Sequence, residues 1–199
     1  EQTGEILIAR MLEYGVDRTV ISHVCYYGRN NDYPAHCVQT WPDRFAAIGL
    51  LVGHRLFPPQ DGERNAERLR ELVTERGLAG LRLSPIYDRD VRWLDDTLCD
   101  SLWVAAGDLG VTFNVFLAPE QLQQLGVMAE RHPAVNVVID HFAMIDINRP
   151  DEEGIDRIVE LARLSNIHVR TSLHNPSKQK RPPFHDMWPY LRRVYDAFG

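Results

Sequence analysis

Short runs of β-branched and other apolar residues alternate along this chain with longer stretches whose apolar positions recur at the helical period. The pattern predicts helices over 3–14, 31–41, 63–76, 94–109, 119–131, 152–164 and 184–198. Between them it predicts strands over 16–24, 44–52, 78–83, 111–117, 135–139 and 167–172. The punctuation agrees. Thr3 is an expected N-cap, Pro34 fits a first helical turn, and Gly15, Gly77 and Gly110 stand where helices stop. The run VNVVI at 135–139 is too short for a helix and reads as a strand buried on both faces.

Six strands, each followed by a helix and starting roughly thirty residues apart, demand a mostly parallel sheet with helices outside it. A helix with no strand before it opens the chain, and another closes it. Glu1 stands where a Met would start a protein, so the sequence is expected to be cropped at both ends. The expected fold class is α/β: a single domain over 1–199 forming a (β/α)8 TIM-like barrel that lacks its first and last strands. An open doubly wound sheet is the alternative, although no Gly-rich phosphate loop follows any strand.

Composition narrows the function without naming it. The chain is 44% hydrophobic and 25% charged, an ordinary globular balance. A net charge of −6, with no basic stripe beyond residues 178–181, argues against a nucleic-acid partner. No apolar run is long enough for a membrane, and no signal peptide is evident. Cys25, Cys37 and Cys99 are scattered and odd in number, which reads as reduced packing thiols in a cytoplasmic protein. Two open sheet edges would invite self-association, so a homo-oligomer is among the expected partners.

Candidate chemistry gathers at the carboxyl ends of the strands, where such folds keep their sites. In chain order these ends carry His23 and Tyr26, His54, Arg82, Asn114 with Phe116, Asp140 and His141, then Arg170 and His174. Imidazoles and guanidiniums with few carboxylates favour a small anionic substrate, because Arg matches carboxylate geometry bidentately. Each residue also has a plainer role open to it. His141 could be a satisfied core histidine whose ring Asp140 orients, and Arg82 could be half of a salt bridge between strand ends. Arg170 inside a strand would be costly unless paired or at the mouth. Tyr26 could line a pocket or cover a rim, and His36, His132, His168 and His185 read as structural or solvated. No HxH, HExxH or CxxC motif is present, so a metal cannot be read from these residues.

The motif VVIDHFA, with GLRLSP two strands earlier and VRTS one strand later, resembles the amidohydrolase-2 family of the amidohydrolase superfamily. PDRF at 42–45, the RHPAVNVVIDH block and the closing WPYLRRVYDAFG resemble it too, so the likeness covers the whole chain. It implies a distorted TIM barrel with hydrolase, lactonase or decarboxylase chemistry on small carboxylated substrates. Members usually open with a His-x-His strand and close with a strand bearing a catalytic Asp, neither of which is in this sequence. His141 matches the family's sixth-strand histidine, Arg82 a substrate-binding arginine of the fourth strand, and Arg170 the basic residue of the seventh. Metal-binding members carry a histidine at the end of the fifth strand. Here that strand reads TFNVFLAP, which is nearer the lactonase-like branch, some of whose members need no metal. The implied reading is a hydrolase of C–O or C–N bonds in which His141 and Asp140 are catalytic. Arg82, Arg170, His23, Tyr26, Asn114 and His174 would bind substrate. The alternatives are a zinc-dependent decarboxylase, with one divalent metal such as zinc as cofactor, or an inactive barrel that only binds a ligand.

Overall fold

The computed structural model describes residues 3–24, 26, 30–51, 62–90, 92–148, 153–179 and 181–199. Its elements alternate as the periodicity requires. Helix α1 (Gly4–Glu13) is capped by Thr3, whose side chain accepts the Ile6 N–H. There follow β1 (Thr19–Ser22), α2 (Asp32–Thr40), β2 (Phe45–Gly49), α3 (Gly62–Thr74) and β3 (Gly80–Leu83). Then come α4 (Asp100–Leu109), β4 (Thr112–Val115), α5 (Leu122–Arg131), β5 (Asn136–Ile139), α6 (Glu153–Glu160), β6 (Ile167–Val169) and α7 (Trp188–Phe198). Gly77 and Gly110 have φ of 72° and 64°, the left-handed conformation in which a helix is closed most cheaply by glycine.

Boundaries differ from the sequence reading in one consistent way. Strands are shorter than their apolar runs because they end where the neighbouring strand stops pairing. Helices often begin with a tighter turn, as at Pro119–Gln121 before α5 and His185–Met187 before α7. Strand β6 ends at Val169, so Arg170 lies just past it rather than inside it. That removes the difficulty of an arginine within a buried strand.

All five strand pairings are parallel, and the order is β1-β2-β3-β4-β5-β6. A doubly wound sheet must reverse its order at a switch point, and this sheet never does. Under the right-handed crossover rule for parallel βα units, an order that never reverses puts the helices on one side, and the sheet curls away from them. The open doubly wound alternative is thereby set aside.

Register then sorts the side chains. Leu81, Phe113, Val137 and Ile167 form one row across four strands, and all are buried. This row faces the helices, since the Phe113 ring packs edge-on against Trp103 of α4 at 5.0 Å. The row one step on, Arg82, Asn114, Val138 and His168, must face the concave side because alternate residues of a strand point oppositely. The core lies between sheet and helices, with Leu69, Leu102, Leu125, Met128, Ile155 and Ile158 supplying the helical half. Among the described residues no helix is long and apolar enough to cross a membrane.

Candidate active site

Asp140 follows Ile139 at the end of β5 and so shares the concave face with Val138. It is completely buried. Arg82, from β3, places Nη2 3.2 Å from its Oδ2. Arg170, one residue past β6, donates from Nη1 to Oδ1 at 3.1 Å, and Asn114 of β4 donates from Nδ2 to the same oxygen at 3.4 Å. Four consecutive strands thus converge on one carboxylate, which is the work of register, since Arg82 pairs with Asn114 in the β3–β4 ladder. Two guanidiniums around one carboxylate leave a single positive charge in excess. The Arg82 side chain is 11% exposed and that of Arg170 45%, so Arg170 is the arm that solvent and solutes can reach.

The chain leaves β5 through an unusual turn. His141, Phe142, Ala143 and Met144 have φ between 51° and 54°, a left-handed stretch without a single glycine. Each such residue costs about 1–2 kcal/mol relative to a right-handed turn. Strain of this kind persists where surrounding structure enforces it and concentrates at functional sites. Phe142 and Ala143 are buried in the core and hold the turn.

Packing, rather than Asp140, sets the His141 ring. It meets Phe116 edge-on at 5.6 Å and His174 at 6.5 Å between centroids. Its Nδ1 is buried without a hydrogen-bond partner among the described residues. Phe116 also lies under the Arg82 guanidinium at 4.8 Å, a cation–π contact, and Tyr87 closes on its edge at 5.9 Å. Arg82 Nε is likewise buried without a partner among the described residues. Burial lowers the His141 pKa; Asp140 opposes this, while Arg170, Arg82 and His174 add to the lowering. The imidazole is therefore neutral near pH 7.

The sequence-predicted residues fare differently. Arg82, Asn114, Asp140, His141, Arg170 and His174 come together. Asn114 is buried and donates one amide N–H to Asp140, which supports the carboxylate. Asp140, sealed from solvent, lies between the two arginines. Tyr26, beyond the end of β1, is 90% exposed. His23 is buried one step past Ser22, where strand alternation turns it to the face opposite Ser22; its backbone N–H goes to the Ile48 carbonyl. His54 lies outside the described residues. His132 is structural, stacked on Trp103 and 2.9 Å from an Asp100 carboxylate oxygen. What sequence reasoning missed is the double pairing at Asp140, because Asp140 and Arg170 are thirty residues apart and neither local pattern mentions the other.

The same cluster does not fit a metal. Among the described residues no three His, Cys, Asp or Glu side chains are grouped to hold one. Both Asp140 oxygens already face guanidiniums, which would repel a divalent cation.

The sequence profile of the amidohydrolase family matches residues 5–199. The chain belongs to the amidohydrolase family. It is 24% identical over 196 residues to the 4-sulfomuconolactone hydrolase of Hydrogenophaga intermedia, covering 97% of this chain and 60% of that protein. It is 28% identical over 199 residues to the L-fucono-1,5-lactonase of Burkholderia ambifaria, covering 100% of this chain and 65% of that protein. The chain thus spans under two thirds of the length of these relatives. An amidohydrolase from Burkholderia multivorans with bound HEPES superposes with a TM-score of 0.74 at 20% identity, covering 100% of this chain and 71% of that one. A 2,6-dihydroxybenzoate decarboxylase superposes less well, with a TM-score of 0.62 at 17% identity, covering 100% of this chain and 74% of that one. At such identities the structural likeness speaks for the fold alone.

Proposed function

We propose that this protein hydrolyses a small carboxylated lactone by attack of water on the ring carbonyl. The observation that carries the reading is the Arg82–Asp140–Arg170 cluster beside a neutral imidazole, with positive charge in excess where the strands end. Two curated relatives that open lactones support it. The accompanying fold reading is a (β/α)8 barrel, to which the six strands contribute an uninterrupted arc; their sequential order and one-sided helices support that.

In this mechanism the exposed arm of Arg170 takes the substrate carboxylate, with the charge of Arg82 behind it, while Asp140 keeps both guanidiniums aimed. Neutral His141 polarises the carbonyl by donating a hydrogen bond, or accepts a proton from the attacking water. Water adds to the carbonyl carbon, the ring C–O bond breaks, and the ring oxygen leaves as a hydroxyl after protonation. The product is a hydroxy acid, and one proton is released at neutral pH.

That proton is the readout. A pH-stat assay over carboxylated lactones should give saturable acid release. Arg170→Ala should raise KM about tenfold, in line with one lost charge-assisted hydrogen bond. Carbon dioxide release without ring opening would replace the proposal with a decarboxylase. Ligand binding with no turnover would replace it with a binding protein.

A further inference from the structure

The segment between β6 and α7 carries His174 and is tied together by one carboxylate. Asp186 Oδ1 accepts the Ser177 hydroxyl at 2.8 Å. Its Oδ2 accepts the backbone N–H of Lys178 at 2.7 Å and that of Gln179 at 3.4 Å. The knot is reinforced on either side. Gln179 Oε1 accepts the His185 N–H at 2.9 Å, the Ser177 N–H reaches the Leu173 carbonyl at 3.2 Å, and Trp188 Nε1 donates to the Pro183 carbonyl at 3.1 Å. Ser177 is buried although the segment around it is polar. Burial pushes the Asp186 carboxyl up, and the bonds from Ser177, Lys178 and Gln179 outweigh it, leaving its pKa below the usual carboxylate value.

Ordering a polar loop costs about 1–2 kcal/mol per residue in backbone entropy, and between Leu173 and Phe184, which pack on the core, the sequence has only polar residues and proline to offset it. The carboxylate does so instead, by satisfying three donors at once. What the loop holds in place is His174, three residues before Ser177, whose ring stands 6.5 Å from that of His141. His174 is itself solvent-exposed, so burial does not hold its ring, although Leu173 before it packs on the core.

We propose that Asp186 is a positioning residue: its carboxylate locks the β6–α7 loop so that the exposed His174 imidazole stands opposite His141 and sets substrate affinity. The effect on affinity rests on the lactonase reading above; the effect on the place of His174 does not.

Asp186→Ala, His174→Ala and the double variant separate this from a merely structural role. Asp186→Ala should raise KM for a carboxylated lactone about fivefold with kcat within about twofold, the pattern of lost binding that is uniform along the reaction. The double variant should be no worse than His174→Ala alone, because Asp186 acts through His174. Independently of turnover, the His174 imidazole resonances should move in Asp186→Ala, and the Lys178 and Gln179 amides should exchange hydrogen faster. Additive effects in the cycle, or an unmoved His174 resonance, would overturn the proposal. Should Asp186→Ala fail to fold, Ser177→Ala removes one bond of the knot and must shift the same resonance; if it does not, the proposal falls. If no lactone is opened, the resonance and exchange measurements still decide it, and only the functional reading is lost.

Discussion

Asp140 concentrates the energetics of the site in one buried carboxylate. Removing its charge while keeping its shape leaves Arg82 and Arg170 facing each other with no anion between them. Asp140→Asn should therefore lower stability by about 3 kcal/mol, the scale for breaking a buried ion pair from one side. Urea melts would measure it. Arg170, with nearly half its side chain in solvent, should cost under about 1 kcal/mol on truncation to Ala, as for other screened pairs, while its effect on KM is large. The contrast between the two variants tests whether Asp140 is structural support and Arg170 the arm that meets substrate. His141 adds a pH dependence whose sign is fixed. Its folded pKa lies below the unfolded value of about 6.5, so the unfolded chain binds the extra proton as acid is added. The stabilising contribution is complete above the unfolded pKa and is lost as pH falls through the folded one. Stability measured at pH 7 and pH 5 should drop more for the parent protein than for His141→Gln.

The strand ends depend on close backbone approach. Gly80 opens β3 against Thr112 of β4, and a Cβ there would lie 1.8 Å from the Thr112 carbonyl oxygen. Because that oxygen is backbone, the strands must separate to make room. Gly80→Ala should cost about 2–3 kcal/mol, as overpacking does, and should move Arg82, two residues along, off Asp140. A fall in melting temperature with a matching rise in KM would show both effects; a variant with parent-like values would show that β3 can shift freely. Much at this scale was legible in the sequence. The Thr3 cap and the Gly77 and Gly110 stops were read correctly because capping is chemistry local to one or two residues. The end of β6 was not. Val169, Arg170 and Ser172 continue a strand-like pattern, and only pairing with β5 shows that the ladder stops at Val169. The left-handed turn over 141–144 has no sequence signature either, since His, Phe, Ala and Met all avoid it and only the surrounding core enforces it.

At the scale of the whole molecule, six strands in chain order leave β1 and β6 as the edges of the described sheet. The sequence by itself determined the βα alternation, the parallel sheet, the helix caps and the positions where polar residues end apolar runs, because each follows from periodicity or from chemistry within a few residues. Only the tertiary structure decided which of those polar residues meet. Register across four strands brought Arg82, Asn114, Asp140 and Arg170 together, while the same geometry left Tyr26 in solvent. Such convergence depends on strand order and pairing over long separations, which no local pattern in a chain encodes.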